Sequence, residues 1–294
     1  MVVFYRRMPR FDYLKPGGLG EVLDLLDGAE EGQYRVFAGG TDLIAQLKAR
    51  EISAPGAVID LKGIGALSEI GLDEDGGLRL GATVSVSQVA ASALVGEKYP
   101  ALAEGAREIA SLQIQNRATI TGNICNAVSS ADSAPPLLAL GAKLQLVRRG
   151  GERIVDLADF FSGPGQTIIE PGELVREIRL PPPPEGARSV YLKLAPRGRM
   201  DLAWVGVAAA ARIKDGKAID PRIGLGAVAP TPLRARGAEE VLRGQKLDTD
   251  IIEETARVAA GEVSPREDSF RASADYRRQM VQVLVRRALG RLAA

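Results

Sequence analysis

Short apolar runs and helical stripes alternate along the first two-thirds of the chain. Phe11, Tyr13 and Leu14 before Pro16 read as a short strand and turn, and Val22, Leu23, Leu25 and Leu26 give one apolar face to a helix over 19–26. The run 34–38 reads as a strand leading into a helix over 42–49, and further strands are expected over 57–61 and 78–81. Ser87 is the expected cap of a helix over 89–94, and 101–111 suits another. Asp132 or Ser133 opens a helix with Pro135 and Pro136 in its first turn, where the N–H groups lack helical partners anyway. Gly141 ends that helix and 143–147 follows as a strand.

Pro181, Pro182, Pro183 and Pro184 cannot continue a helix or a central strand, so a domain boundary is expected there, between 1–180 and 185–294. The first part divides again near residue 60, into subdomains of about 1–60 and 61–180. Beyond the prolines, 190–194, 202–213 and 223–228 read as three strands of an antiparallel sheet, followed by helices over 237–242, 248–260 and 276–292. In the last helix Tyr276, Met280, Leu284, Ala288 and Leu292 form the stripe, with Arg277, Arg278, Arg286 and Arg287 mostly off it. The longest apolar run, near 202–211, is too short for a membrane span, and the opening residues lack the apolar core of a signal peptide. A cytoplasmic protein is expected.

Two glycine loops interrupt this pattern: Ala38-Gly39-Gly40-Thr41-Asp42-Leu43 and Ala118-Thr119-Ile120-Thr121-Gly122-Asn123. Glycine permits positive φ and close approach of a ligand to the backbone. Successive free N–H groups in such turns bind anions, and a following helix adds its dipole. Thr and Asn supply side-chain hydrogen bonds to a phosphate or ribose. Neither loop has Walker or Rossmann spacing. Each alone is equally a turn with a helix cap; together they suit a ligand with two phosphates, a dinucleotide first of all.

Composition narrows the chemistry. The 294 residues suffice for roughly two domains. A net charge of +1 and 4% aromatic residues give no sign of a nucleic-acid partner. One cysteine, Cys125, and no histidine exclude an internal disulfide, a cysteine-ligated cluster built by this chain alone, and Ser-His-Asp catalysis. Covalent attachment of a cofactor to histidine is excluded too. No catalytic or metal-ligating residue is expected, and any redox chemistry must come from a cofactor.

The segments FAGGTDLIAQLK, QNRATITGNICNAVSSADSAPPLLALGAKL, VREIRLP and YLKLAPRGRMDLA, with Phe11-Asp12-Tyr13 and Pro16 ahead of them, come in one order and spacing. Together they resemble the FAD-binding medium subunits of the molybdenum hydroxylases, a family that includes medium chains of carbon monoxide and aldehyde dehydrogenases and the FAD domain of xanthine dehydrogenase. The resemblance spans nearly the whole chain. It implies an α+β protein: a two-subdomain FAD-binding fold of the vanillyl-alcohol-oxidase/PCMH type, then a smaller domain with a three-stranded antiparallel sheet and helices. It implies FAD on this chain, and a large molybdenum subunit and a small subunit with two [2Fe–2S] clusters as partners, arranged as a dimer of heterotrimers. The implied role is electron transfer from the clusters through FAD to an external acceptor.

By the same resemblance, Ala38, Gly39, Gly40, Thr41 and Asp42 bind the FAD pyrophosphate through backbone N–H groups, flanked by Val36 and Leu43. Thr119, Ile120, Thr121, Gly122 and Asn123 form the second clamp, with Ser111 nearby. Ile109, Leu174 and Val175 flank the isoalloxazine, Asp132 sits at the flavin end, and Lys193 falls on a cofactor-contacting position. Thr121 replaces a glycine usual in the family, so the backbone there is expected to differ. Thr41 and Asn123 resemble the xanthine, aldehyde or aromatic-substrate branches more than carbon monoxide dehydrogenase. Cys125 reads as a structural thiol rather than a redox one, Arg197 and Arg199 as a solvated loop rather than potential-setting groups, and Asp201 either orients Lys193 or ends that loop. The alternatives are a stand-alone FAD oxidoreductase of the same superfamily, a non-enzymatic nucleotide-binding scaffold subunit, and a different phosphate-ligand enzyme.

Overall fold

The computed structural model describes residues 7–198 and 200–294. The first six of the opening residues, on which the absence of a signal peptide was read, and Arg199 lie outside the described residues. Strands β1 (Asp12–Leu14), β2 (Tyr34–Phe37) and β3 (Ala57–Asp60) form a parallel sheet in the order β1-β3-β2. Parallel neighbours need long crossovers, supplied by α1 (Leu19–Leu26) and α2 (Leu43–Ala49). The middle strand is buried throughout, so it reads as a continuous apolar run. Val22, Ile59, Leu61, Ile64 and Leu67 form the core of this part.

The second sheet is antiparallel: β4 (Ile70–Leu72), β5 (Leu78–Gly81), β6 (Lys143–Arg148), β7 (Gly151–Asp156) and, after a small hairpin of β8 (Phe161–Gly163) and β9 (Gln166–Thr167), β10 (Leu174–Leu180). The order β4-β5-β10-β6-β7 puts β10 in the centre. Its pattern conceals that: a bulge between Val175 and Glu177 breaks the alternation. Glu177 is buried and held by Arg79 and Arg179, at 2.7 and 2.5 Å. Its carboxyl sits below the ordinary range, because these two guanidiniums outweigh the opposing desolvation.

Between β5 and β6 run α3 (Val86–Ala91), α4 (Ala93–Lys98), α5 (Pro100–Glu108), α6 (Leu112–Gln115), α7 (Ile120–Cys125) and α8 (Ala134–Ala139). The helix expected over 89–94 with Ser87 as cap is two helices. Ser85 forms a capping box with Gln88, and Ser92, in extended backbone, caps the next helix. The helix expected over 101–111 ends at Glu108, because Ala110 takes φ +46°.

After the prolines come β11 (Ala187–Leu194), β12 (Val205–Lys214), β13 (Lys217–Gly226) and β14 (Leu233–Arg234), antiparallel and in chain order. The three expected strands are joined by a short fourth. The third starts earlier than its apolar run, since a bulge between Ala210 and Arg212 accommodates its polar half and Pro221. Helices α9 (Arg236–Leu242), α10 (Thr249–Gly261) and α11 (Ala274–Ala293) complete the chain. The buried face of α11 keeps Leu284, Ala288 and Leu292 of the expected stripe and is broader than it. Val281, Leu284, Val285, Ala288, Leu289 and Leu292 are buried, whereas Tyr276 is exposed. Arg277, expected off the stripe, is buried and donates to the carbonyls of Ala227 and Trp204.

The two halves meet where α8 packs on β13; a Cβ on Gly224 would sit 2.2 Å from the Pro135 carbonyl oxygen. Ala101, Ala139, Tyr191 and Ala208 form a second, small-residue contact. Among the described residues no helix is long and apolar enough to cross a membrane, and no cluster of acidic or cysteine side chains is arranged to hold a metal ion.

Candidate cofactor cleft

A cleft of about 1140 Å³ runs between the parallel sheet and the antiparallel one. Its walls are β2 and the turn after it, the start of α7 and the segment to Asp132, the start of β10, and residues 200–202. Val36, Ala38, Gly39, Gly40, Thr41, Asp42, Leu43, Ile109, Thr119, Thr121, Gly122, Asn123, Asp132, Leu174 and Val175 all line it. Ser111, Ile120 and Lys193 do not. Ser111 caps α6, Ile120 is fully buried in the core, and Lys193 is turned toward Asp132.

The first loop is an open donor array. The amide N–H groups of residues 39–43 have no acceptor among the described residues. Gly40 takes φ +73°, which L side chains rarely adopt. A Cβ on Gly40 would meet the Phe37 ring at 2.1 Å, so a side chain there collides with Phe37 as well as obstructing a ligand. That ring is fixed by the Lys62 ammonium, 3.7 Å from its centroid, and by the edge of Tyr13. Burial raises the Asp42 carboxyl, against a hydrogen bond from Thr41.

The second loop is a capped helix start rather than an open nest. The Thr119 hydroxyl accepts from the Gly122 N–H at 3.0 Å, and the Ile120 and Asn123 amides bond to Val84 and Thr119 carbonyls. Asn123 Oδ1 accepts from Ser133 Oγ at 2.6 Å. Thr121 has helical backbone, so the substitution of the usual glycine brings no strain. Its hydroxyl is a buried polar atom without a partner among the described residues. The loops touch: a Cβ on Gly39 would lie 2.2 Å from the Arg117 carbonyl oxygen and 2.7 Å from Ala118 Cα. The free amides of one loop and the orphaned hydroxyl of the other therefore border one space. Phosphate and hydroxyl groups of a dinucleotide match that donor set, and the residues present fit such a group.

At the far end, Asp132 is 7% exposed. Its Oδ2 accepts from Lys193 Nζ and its Oδ1 from the Tyr191 hydroxyl, both at 2.7 Å. Burial raises its carboxyl to about 6, against the opposing effect of Lys193 and Tyr191. Lys193 also donates to the Glu108 carbonyl at 3.1 Å, so its ammonium is committed within the wall. The Ile109–Ala110 turn is pinned by buried Gln115, whose Nε2 donates to the Ile109 carbonyl at 2.7 Å. Ala110, Gln46, Asn126 and residues 170–172 also line the cleft, and sequence reasoning did not single them out. A proline-glycine turn at Pro171-Gly172 was the available signal for the last of these.

Arg197 is solvent-exposed and paired with Asp201 at 2.6 Å, as a solvated loop requires; Asp201 has no hydrogen bond to Lys193 among the described residues, although its carboxyl is held down by Arg197 and, more weakly, by the Lys193 charge. Cys125 lines the cleft but packs against the core, and desolvation pushes its thiol up to about 12. Its thiolate is therefore scarce at neutral pH. With a neutral aromatic disulfide reagent at pH 8, the native chain should react at least ~100-fold more slowly than a free cysteine. A rate near that of the free thiol would overturn this assignment.

A family model described as FAD binding domain in molybdopterin dehydrogenase matches residues 9–183, and another, CO dehydrogenase flavoprotein C-terminal domain, matches residues 190–292. The chain is 34% identical over 283 residues to a xanthine dehydrogenase FAD-binding subunit of Escherichia coli O157:H7, covering 96% of each. It is 35% identical to a carbon monoxide dehydrogenase medium chain of Afipia carboxidovorans, covering 97% of each. A solved carbon monoxide dehydrogenase from Hydrogenophaga pseudoflava, which lacks the Mo-pyranopterin moiety of its molybdenum cofactor, superposes with a TM-score of 0.91 at 33% identity, over 97% of both chains. This chain belongs to the FAD-binding medium subunits of the molybdenum hydroxylase family, and is an oxidoreductase subunit.

Proposed function

We propose that this chain carries electrons from [2Fe–2S] clusters of a small partner subunit, through its FAD, to an external acceptor, while a large molybdenum subunit oxidises the substrate. The observation that carries this reading is the row of unpartnered amides at 39–43, next to the Thr121 hydroxyl in a cleft of about 1140 Å³. In this reading residues 38–42 hold the pyrophosphate, Thr121 and Asn123 the second side of it, and Ile109, Leu174 and Val175 exclude water around the flavin. Val36 and Leu43 support the first loop, and Ser111, Thr119, Ile120 and Gly122 shape the second wall. Lys193 acts through Asp132. FAD, when bound, supplies the change between one- and two-electron transfer.

The absence of histidine fits a subunit whose residues bind, orient and tune rather than activate substrate. The family names of the relatives favour large and small partner subunits; the assembly proposed is a cytoplasmic dimer of heterotrimers. The proposed units of this chain are 1–180, subdivided near 60, and 185–294. The purified chain is expected to be yellow, or to become so on adding FAD, and to release FAD on denaturation. A colourless chain that takes up no added FAD would overturn the reading. Substrate turnover by the isolated chain would replace it with a stand-alone oxidoreductase.

A further inference from the structure

The Asp132 wall is more elaborate than cofactor contact requires. Tyr191 and Lys193 lie on one face of β11, two residues apart, and grip one carboxylate oxygen each. The Tyr191 ring rests on Ala101, Ala139 and Ala208, between the two halves of the chain. Its hydroxyl occupies space that only glycine leaves open: a Cβ on Gly206 would come within 2.8 Å of it. Gly206 is the register partner of Lys193, so the same pair of strands places both donors. From α5, Glu104 accepts from the Tyr191 N–H at 2.6 Å, and Glu108 adds negative charge near Asp132. Lys193 Nζ is fixed from the other side by the Glu108 carbonyl.

A carboxylate oxygen offers two acceptor sites, so each Asp132 oxygen retains capacity beyond its one donor. Asp132 lines the cleft, whereas Lys193 and Tyr191 do not. Resting on the FAD reading above, we propose that Tyr191 and Lys193 are positioning residues that hold Asp132 as a proton acceptor on the cleft wall, so that reduction of the bound cofactor is accompanied by uptake of one solvent proton onto an Asp132 carboxylate oxygen. The electrons come from the one-electron donors of the complex, or from dithionite in vitro, which is oxidised to sulfite. The proton comes from water and forms one O–H bond on Asp132, in addition to any proton the cofactor itself takes up on reduction. Added negative charge in the cleft disfavours the carboxylate beside it, which sets the direction of the coupling. The raised carboxyl of Asp132, about 6, puts this exchange within reach of neutral pH.

The test uses the full chain loaded with FAD. The carboxyl of Asp132, labelled with ¹³C, is titrated by NMR with the cofactor oxidised and then reduced by dithionite, and the midpoint potential is measured against pH. The Asp132 inflection is expected to move upward on reduction, and the potential to bend over the same pH interval. Asp132→Asn should remove the part of the bend that follows the Asp132 inflection. Tyr191→Phe, which deletes one hydrogen bond to the charged form, should move the inflection and the bend upward by about 1–2 pH units. An inflection unmoved by reduction, or a pH dependence of the potential left identical by Asp132→Asn, overturns the proposal. So does Tyr191→Phe lowering Tm while leaving the bend in place, the mark of a purely structural clasp. The wild-type titration needs no variant, so a misfolded mutant leaves the question decidable. Failure of the wild type to retain flavin would sink the FAD reading itself; a yellow chain without the coupling sinks only this inference.

Discussion

Gly39→Ala will yield a folded chain that no longer retains FAD. The added methyl would stand 2.2 Å from the Arg117 carbonyl oxygen, and the obstacle is backbone, with no flexible side chain to swing aside. Either the first loop or the segment leading into Thr119 must shift, so the free amides of 39–43 and Thr121 lose their common register. Loss of two hydrogen bonds to a phosphate, at about 1.5 kcal/mol each, corresponds to roughly 100-fold weaker binding. Fluorescence titration with FAD would measure this directly. The strain itself should cost about 1–3 kcal/mol, a modest drop in Tm with unchanged circular dichroism. Undiminished affinity in Gly39→Ala would show that the two loops do not act on one ligand. Gly40→Val should also lose FAD, but through the Phe37 ring and its own positive φ, with a larger loss of stability.

Lys193→Met is expected to destabilise the chain by about 3–5 kcal/mol at pH 8, because it leaves a buried carboxylate without its charge partner. In the wild type the Asp132 carboxyl lies at about 6, above its usual 3.8, so the native chain holds this proton more tightly than the unfolded one. Stability therefore falls as pH rises from about 4 to about 6. Removing Lys193 removes a charge and a hydrogen bond that lower the carboxyl, so the falling interval extends to higher pH. The deficit against wild type should accordingly be largest at pH 8 and shrink toward pH 5, where Asp132 is protonated in the variant. Denaturant unfolding at the two pH values measures it. A double variant, Lys193→Met with Asp132→Asn, should recover much of the loss; equal deficits at both pH values would mean that charge is not the cause.

What the sequence disclosed follows the physics of each element. The apolar face of 19–26, the apolar run of 57–60 and the alternation of 78–81 made those elements legible from the pattern alone. Strand β10 was not legible, because its centre holds a buried glutamate bracketed by arginines, and one of those two, Arg79, lies about a hundred residues away in the chain. Strand β7 was missed as an exposed, polar edge. In α11 the lower half of the stripe was legible, whereas the burial of Arg277 was not, because the carbonyls that accept from it come together only in the folded state. At the cleft, glycine spacing located both loops, and the resemblance supplied a ligand for them. It could not show that one loop is an open row of amides while the other is a capped helix start with a single orphaned hydroxyl, nor that Lys193 spends its charge on Asp132. Those are properties of hydrogen-bond partners, and a linear pattern does not record them.

The central place of β10 has a consequence for synthesis. The strand is among the last parts of the first half to leave the ribosome, yet both β5 and β6 need it as their neighbour. Until residue 180 emerges, those two strands offer bare hydrogen-bonding edges, the kind of surface on which nascent chains aggregate. Leu174 and Val175 arrive with the same strand, so the cofactor cleft lacks a wall until then. The four prolines that follow cannot extend the sheet, so the strand that closes it ends at Leu180.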